Sequence, residues 1–236
     1  MSESDRTKQR LTKQRNDLEL LNQVMRHDIR NDLQLVEAYA ELLDDHVDAD
    51  GEAYLSVIKE SARNAVALTT SARDLAEVML RDDLEPAGVM IDHVVSQQVE
   101  EVRAAYPTAV ITVEEAIPER KVVGDDLLGS VFRNLLRNAI QHNDKTPPKV
   151  WVAGNASDDT VEIRVADNGP GIPDAARDDI FGKGEKGLDS PGAGIGLYLV
   201  QSLVDSYDGS VWIEDNDPEG TVFVVQLPIC EENEPA

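Results

Sequence analysis

Three glycine-bearing clusters and one spaced pair of asparagines stand out in this 236-residue chain as groups whose types and spacing could do chemistry. The first cluster, Asp167-Asn-Gly-Pro-Gly-Ile-Pro173, directly follows the apolar run Val161–Val165. The second, Gly182-Lys-Gly-Glu-Lys-Gly187, follows Ile180 and Phe181, and the third, Gly192-Ala-Gly-Ile-Gly-Leu197, opens a helical pattern. Glycines let the main chain approach phosphates closely, and the N-terminus of a following helix offers free N–H groups and the positive end of a dipole. The third cluster is G-x-G-x-G with no strand directly before it. A Rossmann site also wants a βαβ unit and an acidic residue about 20 positions on, and that arrangement fits poorly. No G-x-x-x-x-G-K-[ST] loop occurs, which excludes a P-loop. Upstream, Asn134 and Asn138 stand at i and i+4, so both carboxamides project from one helical face. Neutral oxygens at that spacing suit a Mg²⁺ that takes most of its coordination from water and nucleotide phosphate. Asparagines on a helix are often plain surface, but in this order with the Asp–Gly and Gly-rich clusters the pair reads as functional.

Two kinds of architecture must position these groups. Residues 1–17 are polar and charged. From Leu18, apolar residues recur at steps of three and four (Leu18, Leu21, Met25, Ile29, Leu33, Val36, Ala40, Leu43), one stripe of a long amphipathic helix. Asp44–Asp50 and Gly51 read as a helix stop and turn, and a second stripe runs through Leu55, Ile58, Ala62, Ala65, Leu68, Ala72, Leu75 and Met79. Two long helices with a short polar loop read as an antiparallel hairpin. One hairpin has few layers to bury its stripes against, so pairing with a second copy into a four-helix bundle is expected. The loop His46–Gly51 echoes a calcium loop, but His46 holds the first ligand position and Val57 the twelfth, so it reads as a solvated turn.

The texture changes near 84–88. Beyond Pro86 and Gly88, short β-rich runs (Val110–Val113, Val150–Val152, Val161–Val165, Val211–Ile213, Thr221–Leu227) alternate with helical segments around 89–105, 125–142 and 192–206. That order predicts an α+β domain, a mixed sheet covered by helices on one face. The domains expected are 18–85 and 88–230, with 231–236 as an acidic tail.

Composition narrows the function classes. The formal net charge is −24, which argues against nucleic acid or an anionic lipid surface as a partner. The single cysteine, Cys230, makes no internal disulfide. The longest uncharged stretch, Ser190–Val204, carries three glycines and is too short to span a bilayer, and no signal peptide opens the chain. These features lead to the expectation of a soluble, cytoplasmic protein without membrane contact. Acid is 26 Asp and 20 Glu against 14 Arg and only 8 Lys, a balance that points to a halophile, since carboxylates stay hydrated and their repulsion is screened at molar salt.

The order Asn134…Asn138, Asp167-x-Gly-x-Gly171, Phe181 and Gly192-x-Gly-x-Gly196 resembles the N, G1, F and G2 boxes of sensor histidine kinases, which share their ATPase superfamily with gyrase and Hsp90. Met25-Arg-His-Asp-Ile-Arg-Asn-Asp-Leu33 resembles the H box, and the resemblance covers about residues 18–229, with the acidic, Asp-rich balance suggesting a haloarchaeal source. It implies a dimerisation and phosphotransfer hairpin over 18–85, forming a homodimeric four-helix bundle, followed by an α+β sandwich that binds ATP with Mg²⁺.

By matching position, the resemblance implies His27 as the phospho-accepting nucleophile. The stripe through Met25 and Ile29 leaves His27 off the core line, facing solvent, and imidazole is a nucleophile near neutral pH. Asp28 matches the acidic residue that accepts the imidazole proton or fixes its tautomer, and Asn31 the position that places a water for dephosphorylating a response regulator. Asp167 matches the acceptor of the adenine amino group, with Gly169 and Gly171 turning the chain around the base. Asn138, helped by Asn134, matches the Mg²⁺ ligand. Gly192, Gly194 and Gly196, with Leu197 after them, would bring backbone amides to the phosphates; residues 182–191 would form an ATP lid; Thr221 resembles a late Thr that supports the adenine pocket. Family members often carry a Lys three residues after the second Asn, where this chain has Gln141 followed by His142. Lys183, Lys186 or Arg137 could supply that charge instead.

The implied activity is ATP-dependent autophosphorylation of His27 and transfer to an Asp of a response regulator receiver domain, with phosphatase action on the same partner. A GHKL-type ATPase would use a Glu on the N-box helix as base, and no Glu lies between Gly129 and Asn143. A nucleotide-binding dimerisation module without phosphotransfer is the third reading. The chain leaves no room for a sensory domain, so residues 1–17 read either as the end of a coiled-coil linker from a longer protein or as the start of a short kinase signalled through a partner.

Overall fold

The computed structural model describes residues 29–80, 87–177, 180–182 and 195–230. The chain divides into two compact units, Met1–Ala76 and Glu77–Ala236, the division falling inside a helix.

In the first unit, residues 29–43 form helix α1, a 3-10 turn spans Asp44–His46, and α2 runs over Ala49–Leu80. Asp48 starts α2: its carboxylate accepts from the Gly51 N–H at 3.0 Å and its carbonyl from the Glu52 N–H at 2.9 Å. Gly51, expected to close the first helix, instead sits in the first turn of the second. A β-carbon there would lie 2.7 Å from Val47 Cβ. Arg63 Nε donates to Glu37 Oε1 at 2.7 Å, and Lys59 pairs with Asp44, so the two helices run antiparallel. Ala40, Leu55 and Ala62 form the buried seam, and the Asp74 carboxylate, fully buried, pairs with Arg73. Leu33, Ala65, Ala72 and Leu75 of the predicted stripes are half-buried, and others behave differently. Ile29, Val36, Leu43, Ile58 and Leu68 are exposed on the single chain, joined by Tyr39, Leu42, Tyr54 and Val57. Two helices share only one seam, filled by two alanines and Leu55, so most of the larger aliphatic residues are left outside it.

The second unit is built on a five-stranded mixed sheet. Its strands are β2 (Val110–Val113), β4 (Lys149–Ala156), β5 (Thr160–Asp167), β6 (Ser210–Asp215) and β7 (Thr221–Pro228), in the order β2-β4-β5-β7-β6. Only β2 and β4 are parallel. A separate two-stranded sheet pairs β1 (Ala87–Met90) with β3 (Lys121–Gly124). The helices are α3 (Ile91–Ala105), α4 (Leu128–Gln141), the short α5 (Asp174–Arg177) and α6 (Ile195–Ser206). Helix α4 lies on β4 and β5, with α3 and α6 on its flanks. Alternation along β5 buries Val161, Ile163 and Val165, and β7 is buried throughout Thr221–Val225. This is the sheet-and-helix layering that the alternating pattern implies. Strands β1 and β3 were not read from the sequence, and α3 begins at Ile91 rather than 89 because β1 runs through Met90. Among the described residues, no helix is long and apolar enough to cross a membrane.

Candidate functional site

Asp167 closes β5. The two-residue period that buries Val161, Ile163 and Val165 also turns this carboxylate inward, where it is 7% exposed. Its Oδ1 accepts from the Gly169 N–H at 2.8 Å and the Thr221 N–H at 3.3 Å, while Oδ2 makes no hydrogen bond to a described residue. Burial raises the Asp167 carboxyl above its ordinary value, opposed by those two N–H groups and by His142 nearby. A buried carboxylate with one oxygen uncommitted is matched to a ligand that brings its own donor.

The turn after Asp167 is closed by glycine at two points. Gly171 has φ +76°, and Gly220, at the head of β7, has φ +119°. A β-carbon on Gly220 would lie 1.9 Å from the Asp167 carbonyl oxygen. Gly220→Ala is therefore expected to cost at least about 2 kcal/mol, combining the left-handed backbone with displacement of the Asp167 loop. A denaturant titration checks it, and an unchanged midpoint would contradict the packing.

Helix α4 supplies the second half of the site. Its apolar side buries Val131, Phe132, Leu135, Leu136 and Ala139. Asn134, buried, donates from Nδ2 to the Ser130 carbonyl at 2.7 Å. Its Oδ1 faces the first turn of α6, where a β-carbon on Gly196 would approach it to 2.8 Å; Leu197 follows, half-buried. One turn on, the Asn138 carboxamide is half-exposed and makes no hydrogen bond to a described residue. Asn134 thus stands against the opening of α6, and a neutral carboxamide oxygen is among the donors that suit a nucleotide-bound divalent cation. Gln141 is engaged elsewhere, donating from Nε2 to the Tyr106 hydroxyl at 3.0 Å. Arg137 makes no ion pair or hydrogen bond with a described residue. Phe181 stands edge-on to Phe223 of β7, ring centres 6.3 Å apart, and so ties the segment after α5 to the sheet.

Structure thus brings Asp167, Gly169, Gly171 and Thr221 around one turn, with His142 nearby, and sets Asn134 against Gly196. Asn31 is on α1 of the other unit, exposed. His27, Asp28, Lys183, Lys186, Gly192 and Gly194 lie outside the described residues.

Residues 124–231 match the family described as histidine kinase-, DNA gyrase B-, and HSP90-like ATPase. That family alone leaves three kinds of protein open. Residues 17–79 match the His Kinase A (phospho-acceptor) domain. The chain joins the two domains of a sensor histidine kinase core. Its relatives include sensor histidine kinase DpiB of Escherichia coli, 39% identical over 110 residues, which covers 44% of this chain and 20% of DpiB. The matched stretch thus spans about a fifth of that relative's length. Among solved structures, a mycobacterial sensor histidine kinase, MprB, is 27% identical with TM-score 0.55, covering 61% of this chain and 97% of that one. Full-length ShkA in complex with AMPPNP is 25% identical with TM-score 0.60, covering 92% of this kinase core and 47% of ShkA.

Several polar groups of the site escaped the sequence reading. Asn143, just past α4, donates from Nδ2 to Asn168 Oδ1 at 3.0 Å, and Asn168 Oδ1 also accepts from the Lys149 N–H at 2.8 Å. Asn216 donates to the Asp167 carbonyl at 2.8 Å, and Lys145 pairs with Glu219 at 2.9 Å. Nothing in their spacing marks them. Each is an Asn or Lys beside turn residues, which in a sequence is indistinguishable from solvated loop.

Proposed function

We propose that this histidine kinase core binds ATP with Mg²⁺ and phosphorylates its own His27, then passes the phosphoryl group to an Asp of a response regulator receiver domain. The observation that carries this reading is the buried Asp167 carboxylate with Oδ2 uncommitted, in a chain that also has the phospho-acceptor domain. The adenine amino group donates to Oδ2. Guanine presents a carbonyl there, and two acceptors repel, which gives ATP its preference. Gly169, Gly171 and Thr221 shape the wall of the base pocket, and Gly192, Gly194, Gly196 and Leu197 offer main-chain N–H groups to the phosphates. Asn138, supported by Asn134, holds the Mg²⁺, which neutralises charge on the phosphates. Residues 182–191 close over the nucleotide, and Lys183, Lys186 or Arg137 supplies the positive charge that Gln141 does not.

In the transfer step a nitrogen of the His27 imidazole attacks the γ-phosphorus. The P–N bond forms as the bond to the β,γ-bridging oxygen breaks, ADP leaves with that electron pair, and Asp28 takes the imidazole proton. A carboxylate of the regulator then accepts the phosphoryl group from His27, regenerating the imidazole. Asn31, four residues after His27 in the sequence, orients water for the reverse duty of dephosphorylating the regulator. The exposed apolar residues of α1 and α2 support a homodimer through residues 18–85, in which two hairpins form a four-helix bundle. The use of ATP as phosphoryl donor supports a cytoplasmic location for the core. The excess of Asp over Lys supports work at molar salt, as in a haloarchaeon, so assays belong in molar KCl.

Metal removal tests the reading. With γ-labelled ATP, excess EDTA is expected to abolish labelling of the protein and added Mg²⁺ to restore it. Labelling that persists in EDTA would remove Asn138 and Asn134 from the metal role.

A further inference from the structure

Between the carboxylate at the end of β5 and the carboxamides on α4 lies Asn143, whose side chain is fully committed. Nδ2 donates to the Ala139 carbonyl at 3.2 Å and to Asn168 Oδ1 at 3.0 Å, while Oδ1 accepts from the Lys145 N–H at 2.9 Å. One carboxamide therefore satisfies a carbonyl of α4's last turn and grips the residue that follows Asp167. Asn143 also backs the turn sterically: a β-carbon on Gly169 would lie 3.5 Å from Asn143 Cα and 3.6 Å from its Cγ. Gly169 is the residue whose N–H fixes Asp167 Oδ1. On the far side, Lys145, whose N–H Asn143 holds, carries its ammonium to Glu219, next to the Gly220 that abuts the Asp167 carbonyl.

We propose that Asn143 is a positioning residue for base selection, a brace that sets the turn bearing Asp167 at a fixed offset from the α4 face bearing Asn134 and Asn138. The proposal rests on the nucleotide site described above and adds a residue to it that touches no ligand. Base and metal-bound phosphates are parts of one rigid nucleotide. Asp167 Oδ2 meets the base amino group only if the turn and α4 keep their spacing. Without the brace, Asp167 stays hydrogen-bonded by Gly169 and Thr221 but its turn drifts against α4. The donor–acceptor match to adenine weakens, and so does the acceptor–acceptor clash with guanine. Affinity for ATP falls while that for GTP holds or rises.

The test measures ATP and GTP dissociation constants with Mg²⁺ in molar KCl, alongside thermal midpoints, for the intact chain and for Asn143→Ala. Asn143→Ser serves if the alanine variant does not fold. Expected is roughly tenfold weaker ATP binding, about one hydrogen bond's worth of positioning, with the ATP-over-GTP preference reduced by a similar factor. Asn143→Asp, which turns an acceptor toward Asn168 Oδ1 and the Ala139 carbonyl, is expected to lose at least as much preference. A residue that only stabilises the fold would lower the midpoint and leave the preference of the folded protein unchanged. That result would overturn the proposal alone. An intact chain that binds no ATP would overturn the site reading, and the brace with it.

Discussion

Replacing His27 with Gln is expected to abolish phosphoryl labelling while leaving ATP affinity within about twofold. The carboxamide nitrogen of Gln has its lone pair delocalised into the carbonyl and does not attack phosphorus at neutral pH, whereas the free imidazole nitrogen does. Deleting the nucleophile of a working site costs at least about a thousandfold, which takes the label below detection. ATP affinity is insulated because the groups proposed to bind it are Asp167, Asn138 and their neighbours, in a different domain match from His27. The variant also separates this account from an ATPase that never forms phosphohistidine. Such an enzyme would show the same nucleotide turnover with or without His27.

Asp167→Asn carries the second large effect, and the sign of its stability change is as informative as the loss of binding. The amide oxygen still accepts from Gly169 and Thr221, so the turn keeps its two main-chain bonds. Its NH₂ then occupies the place of Oδ2 and confronts the adenine amino group, donor against donor. Losing a hydrogen bond to a charged acceptor and adding that mismatch costs about 2–3 kcal/mol, a weakening of ATP binding on the order of 100-fold. Stability moves the other way. Burial raises the carboxyl, so the folded protein holds this proton more tightly than the unfolded chain does. The resulting contribution to stability is full below the unfolded value and is lost as pH rises through the folded one. At neutral pH the native side chain therefore carries its burial cost, which Asn never pays. The ligand-free variant is expected to melt no lower than the native protein at neutral pH, with any advantage fading in acid. Native ATP affinity should fall in acid for the same reason, since the carboxylate that accepts from the amino group becomes protonated. Denaturation and nucleotide titration across pH check both halves. A strong loss of stability at neutral pH would mean the carboxylate serves the fold.

What could be read without a structure follows the physics of local pattern. Strand β5 was legible because valine and isoleucine alternate along it, and that period aims Asp167 as well. Asn134 and Asn138 were legible because helical spacing alone puts them on one face. Strands β1 and β3 were not, since four residues are too few to establish a period and their pairing joins segments more than 30 positions apart. The stripes on α1 and α2 announced amphipathic helices but not which members of the stripe the partner helix covers. Ala40 and Ala62 fill the seam while Val36 and Ile58 do not, a distinction set by how closely the two backbones approach. Asn143, Asn168 and Asn216 stayed invisible because their role is to join segments distant in sequence. Polar residues in loops carry no periodicity that would reveal such bonds.

The most direct measurement incubates the chain with γ-labelled ATP and Mg²⁺ in molar KCl and asks which residue carries the label and how the bond survives acid and alkali. A label that is acid-labile, alkali-stable and confined to His27 is the result this account predicts. A label stable to acid, or located on any other residue, or no label from a folded sample that binds ATP, would contradict it.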